Sequence, residues 1–144
     1  MVSLLRALWL SSLFAVYACA QVPDTGEGPA FTVVGSSPED GADDVNEAVV
    51  PEVRFSQPAN ADTCNTQTVR LDAIDPEGQV LSLIETTLVL SSNGEKIQIA
   101  HAAGLHHGFT YGITVSSRTS STDEGCTSEN GDPVTPFFSR FTVP

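Results

Sequence analysis

Apolar and polar residues alternate along most of this chain with the period of two that a half-buried strand requires. Within Val49 to Ser56, Val53 and Phe55 take the inward positions and Glu52 and Arg54 the outward ones, with Pro51 marking an edge or strand entrance. Between Gln67 and Ala73 the inward set is Val69, Leu71 and Ala73, and Thr68, Arg70 and Asp72 face solvent. Further strands are predicted at Phe31 to Val34, Gln79 to Ile84, Thr86 to Ser91, Glu95 to Ala100 with Ile97 and Ile99 inward, Phe109 to about Ser117, and Phe137 to Val143. Turn residues punctuate the runs. Asp75-Pro76-Glu77-Gly78 has proline to set the second position and glycine for the left-handed one. Asn93-Gly94 is the dipeptide of a tight hairpin, both residues tolerating positive φ. No helical period persists beyond one turn. The fold class is therefore all-β, an antiparallel sandwich of about seven to eight short strands.

The stretch Leu105 to Val115 fixes the architecture further. Leu105, Gly108 and Tyr111 have the spacing of a tyrosine corner, in which the ring packs in the core and the hydroxyl bonds backbone a few residues upstream. Phe109, Tyr111, Ile113 and Val115 then form the apolar face of the strand that follows. A corner of this kind holds the arch between the sheets of an Ig-like sandwich.

Charge narrows the partners. The chain carries 6 Lys+Arg against 18 Asp+Glu, a net charge of −12. Nucleic acid and anionic headgroups would be repelled, so no nucleic-acid partner is expected; cations and basic surfaces are compatible. The acids are spread over many turns, as on an ordinary solvated surface.

Residues 1–18 have the form of an export signal, with Arg6 ahead of an apolar run from Ala7 to Ala18 that is too short to span a bilayer stably. Val16-Tyr17-Ala18-Cys19 resembles a bacterial lipobox, so cleavage before Cys19 and lipidation of that residue are expected. Tyr17 departs from the small or aliphatic residue usual there. Ala18-Cys19-Ala20 is a competing site, whose cleavage before Gln21 would release a secreted protein. Residues 19–30 read as a flexible tether and 31–144 as the folded domain. Ala20 after the lipidated position points to the outer membrane where the cell has one. With Cys19 lipidated or removed, Cys64 and Cys126 remain as one disulfide in an oxidising compartment, the alternative being two free buried cysteines. Loops carrying them lie at the same end of an Ig-type sandwich, and the bridge would contribute roughly 4 kcal/mol.

Four segments in order carry a family resemblance: Ser37-Pro38-Glu39-Asp40-Gly41-Ala42-Asp43-Asp44-Val45, then Val53-Arg54-Phe55-Ser56-Gln57-Pro58, then Leu105 to Val115, and Phe141-Thr142-Val143. Together they resemble the bacterial Ig-like domain of the SbsA S-layer type over residues 31–144. Two positions depart from its pattern: His107 stands where the family has proline before Gly108, and Cys64 where it commonly has a polar Asp-Pro-Ser turn. The resemblance implies an extracellular or envelope spacer, adhesion or carbohydrate-associated module.

Candidate chemistry is sparse. His101, His106 and His107 are the only histidines. Adjacent His106 and His107 point apart in extended chain, and no metal-ligand spacing is met, so they read as a solvated turn. Asp40, Asp43, Asp44 and Glu47 share one loop, and Asp123, Glu124, Glu129 and Asp132 another; both are candidate calcium loops without the regular cation-loop spacing. No nucleophile elbow, phosphate loop or Cys/His signature is present, so no catalysis and no cofactor are expected. Trp9 and Tyr17 fall in the leader, which leaves Tyr111 in the corner and no aromatic platform for stacking a sugar. The expectation is a non-catalytic, envelope-anchored Ig-like module with a structural or interaction role toward envelope protein or polysaccharide. The alternative is a calcium- or carbohydrate-binding module using the acidic end loops.

Overall fold

The computed structural model describes residues 28–117 and 125–144. The signal segment, Cys19, nearly all of the tether, Asp123 and Glu124 lie outside them. Eight strands form in chain order: β1 (Val33–Ser37), β2 (Glu52–Phe55), β3 (Val69–Ile74), β4 (Val80–Leu83), β5 (Thr86–Leu90), β6 (Lys96–His101), β7 (Phe109–Val115) and β8 (Phe137–Val143). They make two antiparallel four-stranded sheets, β1-β2-β6-β5 and β4-β3-β7-β8. This is the strand order of an Ig sandwich with an extra strand at the β4 edge.

The inward-facing sets behave as the alternation predicts. Val53 and Phe55, Val69, Leu71 and Ala73, Ile97 and Ile99, and Tyr111, Ile113 and Val115 are all buried in one core. Phe31 stacks on Phe55 with ring centroids 5.1 Å apart, and Tyr111 on Phe141 at 5.7 Å, so aromatic pairs fill the middle of the sandwich.

Several expectations are corrected. Phe31 is buried but precedes its strand, which starts at Val33 and runs on to Ser37. Phe109 belongs to the apolar alternation of β7, yet it is 42% exposed, because it stands at the mouth of the sandwich with its ring 6.1 Å from that of His106. Asp72 and Thr68 sit on the outward face but are buried. At the β5–β6 hairpin only Gly94 has positive φ. The Gly94 amide donates to the Ser91 carbonyl and the Ser91 amide to the Lys96 carbonyl, so Asn93 needs no left-handed geometry. A Cβ at residue 94 would also come within 2.9 Å of the Pro58 Cβ.

Candidate functional site

The tyrosine corner forms. The Tyr111 hydroxyl accepts the His106 amide proton at 2.7 Å and lies 3.5 Å from the His106 carbonyl. Leu105 is buried, its amide donating to the Glu47 carbonyl, and the Gly108 amide donates to Val143. Residues 105–108 are thus tied to the β7–β8 pair and to the loop before β2. His107 completes this with Nε2 2.8 Å from Glu47 Oε2 and Nδ1 2.6 Å from the Pro144 oxygen. His101 faces the Val49 and Ala103 carbonyls with its two ring nitrogens. The histidines are engaged in different places, and no group of three His, Cys, Asp or Glu able to hold a metal ion occurs among the described residues.

The first acidic loop has a structural occupation. Asp40 accepts the Arg140 backbone amide at 2.9 Å, Gly41 donates to the Arg140 carbonyl, and the Thr142 amide donates to the Ala42 carbonyl. Val45 then donates to Thr142. Residues 40–45 therefore run along the outer edge of β8 and satisfy its polar backbone, the service an edge strand needs. Of the four carboxylates expected together, Asp40 serves this edge and Glu47 pairs with His107, whereas Asp43 and Asp44 are exposed. In the second loop, Asp132 is bound by Ser128.

Cys64 and Cys126 are bridged with a sequence separation of 62. The bridge joins the β2–β3 connection to the β7–β8 connection, and polar bonds flank it: Asn60 amide to Thr127 carbonyl, Thr63 hydroxyl to Thr127 hydroxyl at 2.8 Å, and Glu129 amide to Pro58 carbonyl.

The opposite edge of the same sheet, β4, is uncovered among the described residues. Every residue of β4 is exposed, Leu81 by 58% and Leu83 by 69%. Beside it the outer face carries Ile74, Gly112 and Phe138. A Cβ at residue 112 would meet the Phe138 ring at 2.8 Å and Ile74 Cγ2 at 3.4 Å, so a glycine is what lets that ring lie across β7. Within this face Arg70 pairs with Asp72, Nη2 to Oδ2 at 3.1 Å. Burial pushes the Asp72 carboxyl above its ordinary 3.8, and the Arg70 charge and hydrogen bond pull it back only partly. The period-two pattern could not reveal either feature. What signal there was lay in three apolar residues, Val80, Leu81 and Leu83, crowded into a strand that should alternate.

The family profile of the bacterial Ig-like domain matches residues 27–143. No curated protein sequence matches the chain. Among solved structures, the S-layer protein SbsC aligns with a TM-score of 0.55 at 15% identity over 80% of this chain and 14% of that one. This chain therefore spans about one seventh of that protein. PcoC, a methionine-rich copper resistance protein from Escherichia coli, aligns with a TM-score of 0.56 at 13% identity over 81% of this chain and 100% of that one. CopC from Methylosinus trichosporium OB3b aligns with a TM-score of 0.53 at 15% identity, covering 78% and 92%. At such identities the likeness is one of fold.

Proposed function

The chain belongs to the bacterial Ig-like domain family, and from that premise we propose that it is a non-catalytic module held at the cell envelope, with a structural or interaction role. The observation that carries the interaction role is the unequal treatment of two edges in one sheet. Residues 40–45 cover β8, whereas β4 offers unpaired backbone and exposed Val80, Leu81 and Leu83. An edge of this kind accepts an extended segment of a partner through main-chain bonds, with side-chain contacts giving selectivity. Asp75 and Glu77 precede β4 and Glu85 follows it, which favours a partner with basic flanks and opposes antiparallel pairing of two copies.

Anchoring through Cys19 to the outer membrane is the expected attachment, supported by the lipobox-like sequence ahead of it. Intact mass of the protein recovered from its host's envelope tests it: a lipid increment on a chain starting at Cys19 supports the anchor, and an unmodified chain starting at Gln21 refutes it. For the edge, a photocrosslinking side chain at Leu81 should give a discrete envelope adduct that Leu83→Lys abolishes. The same probe at Glu39, on the covered side, should give none. Equal labelling from both positions would refute β4 as the contact surface.

A further inference from the structure

Each of the two sheets ends in two edge strands, and three of these edges carry a device against pairing with a second copy of the chain. Residues 40–45 cover β8. β1 is broken by a register shift between Val33 and Gly35 and is stopped by Pro38. β4 is open to a foreign strand, but its pairing to β3 shifts register between Ala73 and Ile74, and acids stand at both of its ends. Covers, bulges, prolines and charges are the means by which edge strands avoid one another. β5 has none of them. From Thr86 to Ser92 the chain has no charged residue, proline or glycine, and β5 pairs with β6 without a register shift. Its other side meets no strand among the described residues.

The hairpin fixes which backbone groups of β5 are free. The Ser91 amide donates to the Lys96 carbonyl. Bonded and non-bonded pairs alternate along an antiparallel ladder, so Val89 and Thr87 also turn their polar groups to β6. Thr86, Leu88 and Leu90 therefore present N–H and C=O to the open side. Their side chains are half-buried, whereas Thr87 and Val89 are exposed on the outer face, Val89 by 50%. Next to Leu88 and Leu90 is a cleft of about 260 Å³, lined also by Ala61, Cys64 and Ile97.

The strand is complementary to itself. In a twofold antiparallel pair centred on Leu88, that residue faces Leu88 of the second copy, and Thr86 faces Leu90 of the second copy. These pairs exchange about six main-chain hydrogen bonds. Thr87 and Val89 of opposite copies become neighbours on the outer face, a favourable β-branched pairing. The leucines of the second copy extend the apolar surface over the mouth of the cleft. Charge permits the contact in spite of the net −12, because Glu85 lies opposite Ser91 of the second copy and no two acids meet along the paired stretch. The same operation on β4 sets Glu77 toward Glu85.

We propose that β5 is a self-association edge, through which two copies pair antiparallel over Thr86–Leu90 and join their β1-β2-β6-β5 sheets into one continuous sheet. The inference goes beyond the interaction role at β4 and is independent of it and of the anchor, since it uses the other sheet. One strand pair and a few leucines bury less than a standard interface, so a dissociation constant of about 10 μM or weaker is expected.

The test is sedimentation equilibrium of the full chain in density-matched detergent, with micelles in excess, from about 1 μM to 1 mM protein. A monomer–dimer equilibrium is expected. Val89→Lys and Thr87→Lys, both on the exposed face, place like charges on either side of the twofold axis and should each weaken it about fivefold or more. Thr86→Pro removes an N–H used at both ends of the pair and should abolish it, proline being accepted at the start of an edge strand. Leu81→Lys, on β4, should leave the dimer unchanged. Urea midpoints close to that of the wild type show that the lysine variants are folded. A benzophenone side chain at Val89 should give a covalent dimer of the purified chain joined near Thr87, and one at Val34, on β1, should give none. A monomer throughout the range overturns the proposal. So does a dimer that Leu81→Lys abolishes and the β5 variants leave intact. An adduct at Val89 formed only with another envelope protein, by a chain that stays monomeric when pure, would overturn self-association and assign this edge to a foreign strand.

Discussion

Tyr111 is held at both ends, its ring against Phe141 and its hydroxyl under the His106 amide. Tyr111→Phe keeps the first contact and strands the amide. It should lower unfolding stability by about 1–3 kcal/mol in urea titration, with no change in the cooperativity of the transition. Asp72 tests the other kind of residue, a polar group whose surroundings oppose its charge. Its folded pKa is raised, so between 3.8 and the folded value the native state holds a proton that the unfolded chain has released. Its contribution to stability therefore declines as pH rises through that window, and is constant below it and above it. The stability of the wild-type chain relative to Asp72→Asn should fall as pH is raised from below 3.8 to neutral. A pH-independent difference would show that Asp72 is not perturbed. The corner could be read from Leu105, Gly108 and Tyr111 because its parts lie within seven residues. The burial of Asp72 could not, since its neighbours across the sheet are Leu83 and Gly112, brought there by pairing alone.

At the level of elements, all eight strands were expected from the sequence, those with inward-facing sets through their alternation, and the misfits have local causes. The β5–β6 turn closes through Ser91 and Gly94, because a polar bond network around Asn93 lets one glycine do what two left-handed residues would otherwise do. The acidic segment 40–45 looks like a cation loop in isolation. Its partner, Arg140, is 100 residues away, and that distance hides an edge cover from any short window. The outer face of β3, β7 and β8 gives the sharpest test of packing. Gly112→Ala would put a methyl 2.8 Å from the half-exposed Phe138 ring, which can turn toward solvent, so it should cost no more than about 1 kcal/mol by chemical denaturation. Phe138→Ala in the same chain should recover part of that loss, because the two changes share one contact. Strictly additive effects would mean that the ring does not lie where it is described.

For the whole molecule, the disulfide joins connections that follow the second and seventh strands, and both cysteines are part of the buried core. Replacing both Cys64 and Cys126 by alanine should remove about 4 kcal/mol, read from the urea midpoint, as the unfolded chain regains the conformational freedom that closing a segment with a sequence separation of 62 had taken from it. That is a large share of the 5–15 kcal/mol typical of a domain. Export signals in the sequence, with the Ig-type topology that puts both loops at one end, made the pairing legible. The same bridge also decides how the molecule answers a pulling force. Drawn from its two ends, the oxidised chain cannot extend through the segment between the cysteines, and roughly 200 Å of contour length stays locked. In single-molecule stretching, unfolding steps should lengthen by that amount once a reductant is added. In the oxidised state this module would act as a short leash whose maximum reach is set by covalent bonds rather than by the stability of its strands.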